Sequence, residues 1–344
     1  MKLYRLIWIV VLIGIQFSCW KKQNNPINPP ETPVYKLTGR VVNSYTGEKV
    51  SSAIVTISGV VKYTNVDSTQ GINLSSLTNS DGLFEISDVP GGYNYSLLIQ
   101  KVGFSDYSAN VVVQYQDRTF DDIQLGLLID KQAEYDFEQI SITGIAAYAN
   151  RCCVVDSVSK QLITFNLGFQ TIDIATFSGV TPQGLCTDSN IFYTYNILKD
   201  SIEAFHLTND TLIERIQQIL PPQNPYHPDE SLKFTDFDVY QGNFWCISEP
   251  LLSRYYSYEP TTTELVSLID NPLYNGSLFG IAVEADTLYL GVMKGNENRI
   301  YELQLPALEL KGYRVFEGLP GRIAVSGNRM FIAAEHNISQ YLIN

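Results

Sequence analysis

The sequence predicts an all-β protein, an antiparallel β-sandwich followed by a β-propeller of five blades. Three observations predict it. The first part of the chain is a series of short apolar alternations separated by turn residues, and none of them holds helical periodicity over eleven residues. The second part repeats with a period near 40 to 45 residues. Aromatic residues make up 12% of the 344, 22 of them tyrosines, against 17% charged residues. That balance suits exported sheets on which a tyrosine packs its ring and keeps its hydroxyl wet.

Residues 1–18 read as a cleaved leader. Lys2 and Arg5 precede an apolar core from Leu6 to Ile15, and the small Ser18 precedes Cys19. Ten residues span about 15 Å as a helix, half a bilayer's hydrocarbon thickness, which is too short for a membrane span. Gln16-Phe17-Ser18-Cys19 resembles the lipobox of a bacterial lipoprotein signal, with Gln16 standing where that family prefers an aliphatic residue. The Phe-Ser-Cys ending resembles lipoproteins of the Bacteroides-like phylum. The resemblance implies lipid attachment at Cys19 and an exported protein of the bacterial outer membrane, on its surface or periplasmic face. The membrane is then a partner through the lipid anchor. Residues 19–34 carry four prolines and many amides, which exclude helix and core and make the segment a tether.

Residues 35–128 form the predicted sandwich. Its strand-like runs are "YKLTGRVVN", "SAIVTISG", "GLFEISDVP", "YNYSLLIQKVGF" and "SANVVVQYQ". Asp81-Gly82 supplies the positive-φ turn of a tight hairpin, and Pro90-Gly91-Gly92 turns the chain before Tyr93. Asp67, Asp81 and Asp88 lack the spacing of a calcium loop and read as turn residues. Gly39-Arg40-Val41-Val42, Thr46-Gly47, Thr78-Asn79-Ser80-Asp81-Gly82, Val89-Pro90-Gly91-Gly92-Tyr93 and Gly103-Phe104 occur in the order of the carboxypeptidase regulatory-like domain, which this region resembles. That resemblance implies a transthyretin-like sandwich acting as spacer or binding module, with no catalytic residues. Lys49 replaces the family's usual proline, and residues 58–77 are longer than its usual hairpin.

Residues 133–344 form the predicted propeller. Five segments align in phase: "GIAAYANRCCVVD", "GLCTDSNIFYTYN", "FDVYQGNFWCISE", "GIAVEADTLYLGV" and "IAVSGNRMFIAAE". Their turn residues Asn150, Asn190, Asn243, Asp286 and Asn328 lie 40, 53, 43 and 42 apart. A period of this length with several strands per unit is what a propeller blade requires. The pattern resembles NHL- or YVTN-type propellers and lacks the Gly-His and Trp-Asp pairs of WD40 repeats. The last repeat ends after its third strand, so "AEYDFEQIS", through Tyr135 and Phe137, is expected to close the ring. The 53-residue interval locates an insertion before the third blade, and "DNPLYNGSLF" precedes the fourth. Tyr226, His227, Asp229 and Tyr274 on these connections are the expected ligand-face residues.

Catalytic and metal motifs are missing. The three histidines, His206, His227 and His336, have no ligand spacing, and no nucleophile elbow, P-loop or Rossmann glycine pattern occurs. No metal and no cofactor is therefore expected. Adjacent Cys152 and Cys153 face opposite ways in a strand; with Cys186 and Cys246 they serve either in a disulfide or as buried free thiols. A formal net charge of −13 with only 23 Lys and Arg argues against nucleic acid as a partner.

The leading function is a lipid-anchored envelope binding protein for a glycan or an envelope protein. The alternatives are a propeller hydrolase of sugars or lactones and a structural component of envelope assembly. Carboxylates from three or more blades meeting at one channel mouth favour the hydrolase, and Asp236, Asp238, Glu249 and Glu335 are the residues placed to supply them. An aromatic platform without them favours binding, and a large apolar patch away from a featureless channel favours assembly.

Overall fold

The computed structural model describes residues 33–343 except 64–67, 189–190, 209–210, 220–222, 225–226, 232, 250–253, 259–264 and 271–275; within 207–233 and 248–275 only the strand backbone is described. Cys19, Tyr226 and Tyr274 lie outside the described residues. His227 and Asp229 belong to a short strand, His227–Ser231, of which only the backbone is described.

The sandwich is built from two sheets. One contains β1 (Val34–Asn43), β4 (Leu83–Pro90), and two short strands, β7 (Arg118–Thr119) and β8 (Ile123–Leu125), which pair with β1 in parallel. The other runs in the order β3 (Ser68–Leu77), β2 (Ile54–Tyr63), β5 (Tyr93–Gln100), β6 (Tyr107–Val113). Alternate residues such as Leu37, Val55, Ile57, Leu97, Ile99 and Val111 point inward and form one core between the sheets. Asp81-Gly82 forms a tight turn with positive φ at Gly82 alone, but the predicted hairpin is not there: the turn joins β3 to β4, which lie in different sheets and do not pair. Asn79 Oδ1 accepts the Asp81 and Leu83 N–H groups, and a Cβ on Gly82 would stand 2.5 Å from the Val41 carbonyl. Asp81 is paired with Lys49 at 2.9 Å, so it serves the turn as expected.

The strand β9 (Leu127–Leu128) leaves the sandwich and joins the propeller. The chain then forms β10 (Lys131–Asp136) and the five blades. Blade 1 is β11 (Ile142–Tyr148), β12 (Arg151–Asp156), β13 (Gln161–Asn166) and β14 (Thr171–Thr176). Blade 2 is β15 (Pro182–Asp188), β16 (Ile191–Asn196), β17 (Ser201–Thr208) and β18 (Thr211–Ile219). A two-stranded piece, β19 (Gln223–Asn224) with β20 (His227–Ser231), precedes blade 3. Blade 3 is β21 (Lys233–Tyr240), β22 (Asn243–Glu249), β23 (Arg254–Tyr258) and β24 (Leu265–Asp270). Blade 4 is β25 (Ser277–Glu284), β26 (Thr287–Lys294), β27 (Glu297–Gln304) and β28 (Glu309–Phe316), with β9 added in parallel at its outer edge. Blade 5 is β29 (Arg322–Ser326), β30 (Arg329–Ala334) and β31 (Asn337–Leu342), completed by β10.

Ring closure follows the prediction. Tyr135 pairs with Ile338, and the Phe137 N–H donates to the His336 carbonyl at 2.8 Å. The first and last strands of the propeller thus share one blade, and their pairing hides what would otherwise be two open edges. The innermost strands β11, β15, β21, β25 and β29 pack side by side in a ring, the last against the first. The first turns of blades 1 and 3 are tight two-residue connections, with positive φ at Ala149 and Asn150 and at Gln241 and Gly242. In blade 3 the turn therefore precedes Asn243, which opens β22. Cys152 and Cys153 do face opposite sides of β12, into two different blade-to-blade cores. All four described cysteines are buried free thiols.

Sandwich and propeller are docked through β9 and the loop after β1. Ser44 Oγ donates to the Tyr313 carbonyl at 2.8 Å, and the Arg314 guanidinium lies 4.1 Å over the Tyr45 ring. Arg314 is in turn paired with Glu302 at 2.7 Å, both side chains about as buried as the core (4% exposed). Glycine is required at 312, because a Cβ there would sit 2.4 Å from Tyr45 Cα. A sandwich that supplies a strand and a stacking ring to a blade is joined to it by packing as well as by chain.

Candidate functional site

Polar side chains line the propeller channel, a cleft where the sandwich meets blade 4, and a groove of about 510 Å³ on the sandwich whose Arg40 and Asp122 are paired with each other. The channel follows from the repeat. At the start of the innermost strands, in phase, stand Gly144, Gly184, Asp236, Gly280 and Arg322. The strands approach closely at this level. A Cβ on Gly144 would lie 2.5 Å from the Gly184 backbone, and one on Gly280 would lie 2.6 Å from the Gly321 carbonyl. The two non-glycine residues of this ring, Asp236 of blade 3 and Arg322 of blade 5, pair with each other at 3.2 Å. Blades 3 and 5 are not neighbours, so the pair spans the axis. Arg322 also donates to the Thr235 carbonyl, and Asp236 Oδ2 accepts the Ile281 N–H at 3.1 Å.

Two residues along β21, Asp238 stands where the other blades have Ala146, Cys186, Ala282 and Ala324. Its Oδ2 accepts the Val283 N–H of blade 4 at 2.6 Å and its Oδ1 the Val239 N–H at 2.8 Å. Asp238 lines a cavity of about 260 Å³ with Tyr148, Cys186, Thr187, Glu284 and Ser326. Glu284 Oε1 accepts the Gly327 N–H of blade 5 at 2.9 Å. Burial raises the Asp236 carboxyl to about 6, against the opposing charge of Arg322. Burial raises Asp238 further, to about 8, against its two N–H donors and with no paired cation among the described residues. On the other side of the ion pair the mouth is a cavity of about 480 Å³ lined by Gln183, Thr235, Phe279, Arg322 and Glu335.

The sequence therefore placed Asp236, Asp238 and Glu335 at the channel correctly, whereas for Glu249 only the backbone is described. Among the described residues their grouping falls short of the three-blade convergence that would favour a hydrolase. Among the described residues each mouth gathers carboxylates from two blades: Asp238 and Glu284 at one, Asp236 and Glu335 at the other. No group of three or more His, Cys, Asp and Glu side chains with metal-binding geometry occurs among the described residues. His206 lies half-buried in β17, and His336 Nδ1 is 2.6 Å from the Ile140 carbonyl.

The junction cleft was not foreseen. Two adjoining cavities, about 560 and 490 Å³, share Tyr107, Gln124, Lys294, Arg299 and Tyr313 and form one continuous depression. Its floor comes from blade 4. The Arg299 guanidinium lies 4.5 Å over the Tyr313 ring, its Nε donates to Glu297 at 2.5 Å, and a terminal nitrogen donates to the Tyr301 hydroxyl at 3.4 Å. Burial pushes the Tyr313 hydroxyl up to about 12, and it donates to the Gln124 carbonyl of the sandwich. The walls are half-buried Tyr107 and Phe120, exposed Asp121 and Gln124 from the sandwich, and exposed Lys294 from a blade 4 turn.

No family model matches the chain, and no curated protein matches it. Among solved structures it is similar to glutaminyl cyclase from Myxococcus xanthus, with a TM-score of 0.47 and 12% identity over 62% of this chain and 95% of that one. It is also similar to a PQQ-bound aldose sugar dehydrogenase from Streptomyces coelicolor (TM-score 0.42, 10% identity, 63% of this chain and 98% of that one). A third similar structure is a luciferin-regenerating enzyme (TM-score 0.40, 10% identity, 62% of this chain and 94% of that one). No activity passes to this chain from likenesses of this degree.

Proposed function

We propose that this protein is a lipid-anchored binding protein of the bacterial envelope, held by Cys19, and that it takes a glycan in the cleft between sandwich and blade 4. The observation that carries the reading is the contrast in how charged groups are used. In the channel, Asp236, Asp238, Glu284 and Arg322 are committed to hydrogen bonds between blades. In the cleft, ring surfaces from Tyr107 and Phe120 stand beside exposed Asp121, Gln124 and Lys294.

A pyranose has that same pairing of surfaces: apolar C–H faces that pack on rings, and hydroxyls that need fixed donors and acceptors around them. Arg299 keeps unused N–H groups while its plane is held by Tyr313 and its Nε by Glu297, so its orientation costs little on binding. The soluble chain starting after Cys19, displayed to an array of bacterial-envelope and plant polysaccharides, is expected to retain a defined glycan. Retention of none overturns the reading. Anchoring is tested separately by Cys19→Ala, which is expected to move the protein from the detergent phase to the aqueous phase.

One observation favours hydrolysis as a second reading. A carboxyl held protonated near neutrality beside a cavity is the chemistry of a general acid, and Asp238 has both features. Loss of sugar- or lactone-cleaving activity in Asp238→Asn, with glycan retention intact, is its distinguishing result.

A further inference from the structure

The edge of the sandwich at β3 differs from the other edge strands. The hairpin β2–β3 pairs over ten consecutive residues, Ile54 with Leu77 through Tyr63 with Ser68, with no bulge. β3 is the terminal strand of its sheet, so alternate backbone N–H and C=O groups along it point away from β2. Proteins protect such an edge with charge, proline, a bulge or brevity. β3, "STQGINLSSL", has none of the four. The terminal strand of the opposite sheet, β4, carries Glu85, Asp88 and Pro90, and the other edge of the same sheet has Arg118 bonded to the Val112 carbonyl. At mid-strand the lack of charge extends across the exposed sheet face, where Asn73, Ser58, Ser96 and Asn110 follow one another over four strands; the face carries Lys62 nearer its end, opposite Thr69.

We propose that β3 pairs antiparallel with β3 of a second copy of this chain, about a two-fold axis at Leu74. Charge selects this occupant. The protein carries a formal net charge of −13, so a contact between identical copies is opposed by like charge wherever acids line it. Between Ser68 and Ser80 there is no charged residue. Directly opposed residues of an antiparallel pair share a face, so this register sets Asn73 against Ser75 on the outer face. On the inner face it sets Leu74 against Leu74 and Ile72 against Ser76. Ile72 and Leu74, half-buried at the open edge of the core, would then be covered. The chain's own tether does not suit the edge. Pro26, Pro29, Pro30 and Pro33 have no N–H to give a ladder. Two four-stranded sheets would become one of eight strands.

The test uses the full chain after Cys19 in sedimentation equilibrium. The wild type is expected to dimerise reversibly. Asn73→Lys with Ser75→Lys, both exposed positions, is expected to raise the dimer dissociation constant about tenfold or more, while near-ultraviolet circular dichroism stays that of the wild type. Mixing that variant with Asn73→Glu, Ser75→Glu is expected to restore association as a mixed dimer. A wild type that stays monomeric, lysine variants that dimerise unchanged, or a mixture that forms no mixed dimer overturns the proposal. So does capture of a different protein's strand by a monomeric wild type.

Discussion

The channel and the junction cleft are both lined with charge, but they use it differently. Asp236, Asp238 and Glu284 in the channel each accept a backbone N–H from the neighbouring blade, and the axis is crossed by Asp236 and Arg322. Cleft side chains such as Asp121 and Lys294 face solvent, while Arg299 and Tyr313 are held by each other and by Glu297 and Gln124, and Asp122 and Asp106 at the rim are held by Arg40 and Gln100. Charge that joins elements is unavailable to a ligand, so the more central concavity is the weaker candidate for binding. The difference also predicts opposite mutational behaviour: channel changes act on stability and cleft changes on recognition.

The largest effect is expected from breaking the axial pair. Arg322→Ala leaves Asp236 buried without its cation and should cost about 3–5 kcal/mol, read as a lowered denaturation midpoint. Pairing it with Asp236→Asn should recover much of that loss, because the uncompensated charge is then removed. Additive losses in the double variant would show that the two residues act independently.

The pH dependence comes next. Asp236 and Asp238 have folded-state values near 6 and 8, both above the unfolded value of an aspartate. The folded state therefore holds these protons more tightly. Their contribution to stability is fully present below about pH 4, declines as pH rises from there, and is lost above pH 8. The melting temperature should fall between pH 5 and 8.5 by an amount that Asp238→Asn reduces. A profile that Asp238→Asn leaves unchanged would place the titration elsewhere.

Cleft substitutions should affect the fold least. Arg299→Ala removes a partly exposed cation and is expected to cost about 1 kcal/mol or less, since surface pairs contribute little. Its retention of the glycan on the array should fall sharply. A large stability loss in this variant would make the Arg299–Tyr313 stack part of the docking between sandwich and propeller rather than a ligand platform.

Five blades could be read from sequence because each keeps a small apolar inner strand, a turn and an alternating strand in the same order. Closure could be read too, since the last repeat lacks a strand and Tyr135 and Phe137 alternate in register with that gap. Asp236 and Asp238 could be named from sequence as acids on an inner strand, but that they stand in the channel ring where other blades have glycine, arginine, alanine or cysteine is set by the strand register. Arg322 could not, because its partner is set by the ring and not by neighbours in sequence. β3 escaped notice because its apolar residues are few and a glycine sits among serines and amides; only the unusual length of residues 58–77 marked it. The cleft was invisible for a geometrical reason. Tyr107 is an ordinary strand residue about 200 positions from Arg299 and Tyr313, brought to them by β9 pairing with blade 4. The insertion residues expected at the ligand face lie where side chains are not described.

The central claim is that recognition belongs to the cleft and not to the channel. It is tested most directly by titrating the glycan retained on the array into wild type, Tyr107→Ala with Arg299→Ala, and Asp238→Asn, following binding calorimetrically. The account predicts that the cleft double variant weakens binding about tenfold or more while Asp238→Asn binds as wild type. Undiminished binding by the cleft variant, together with its loss in Asp238→Asn, would contradict it.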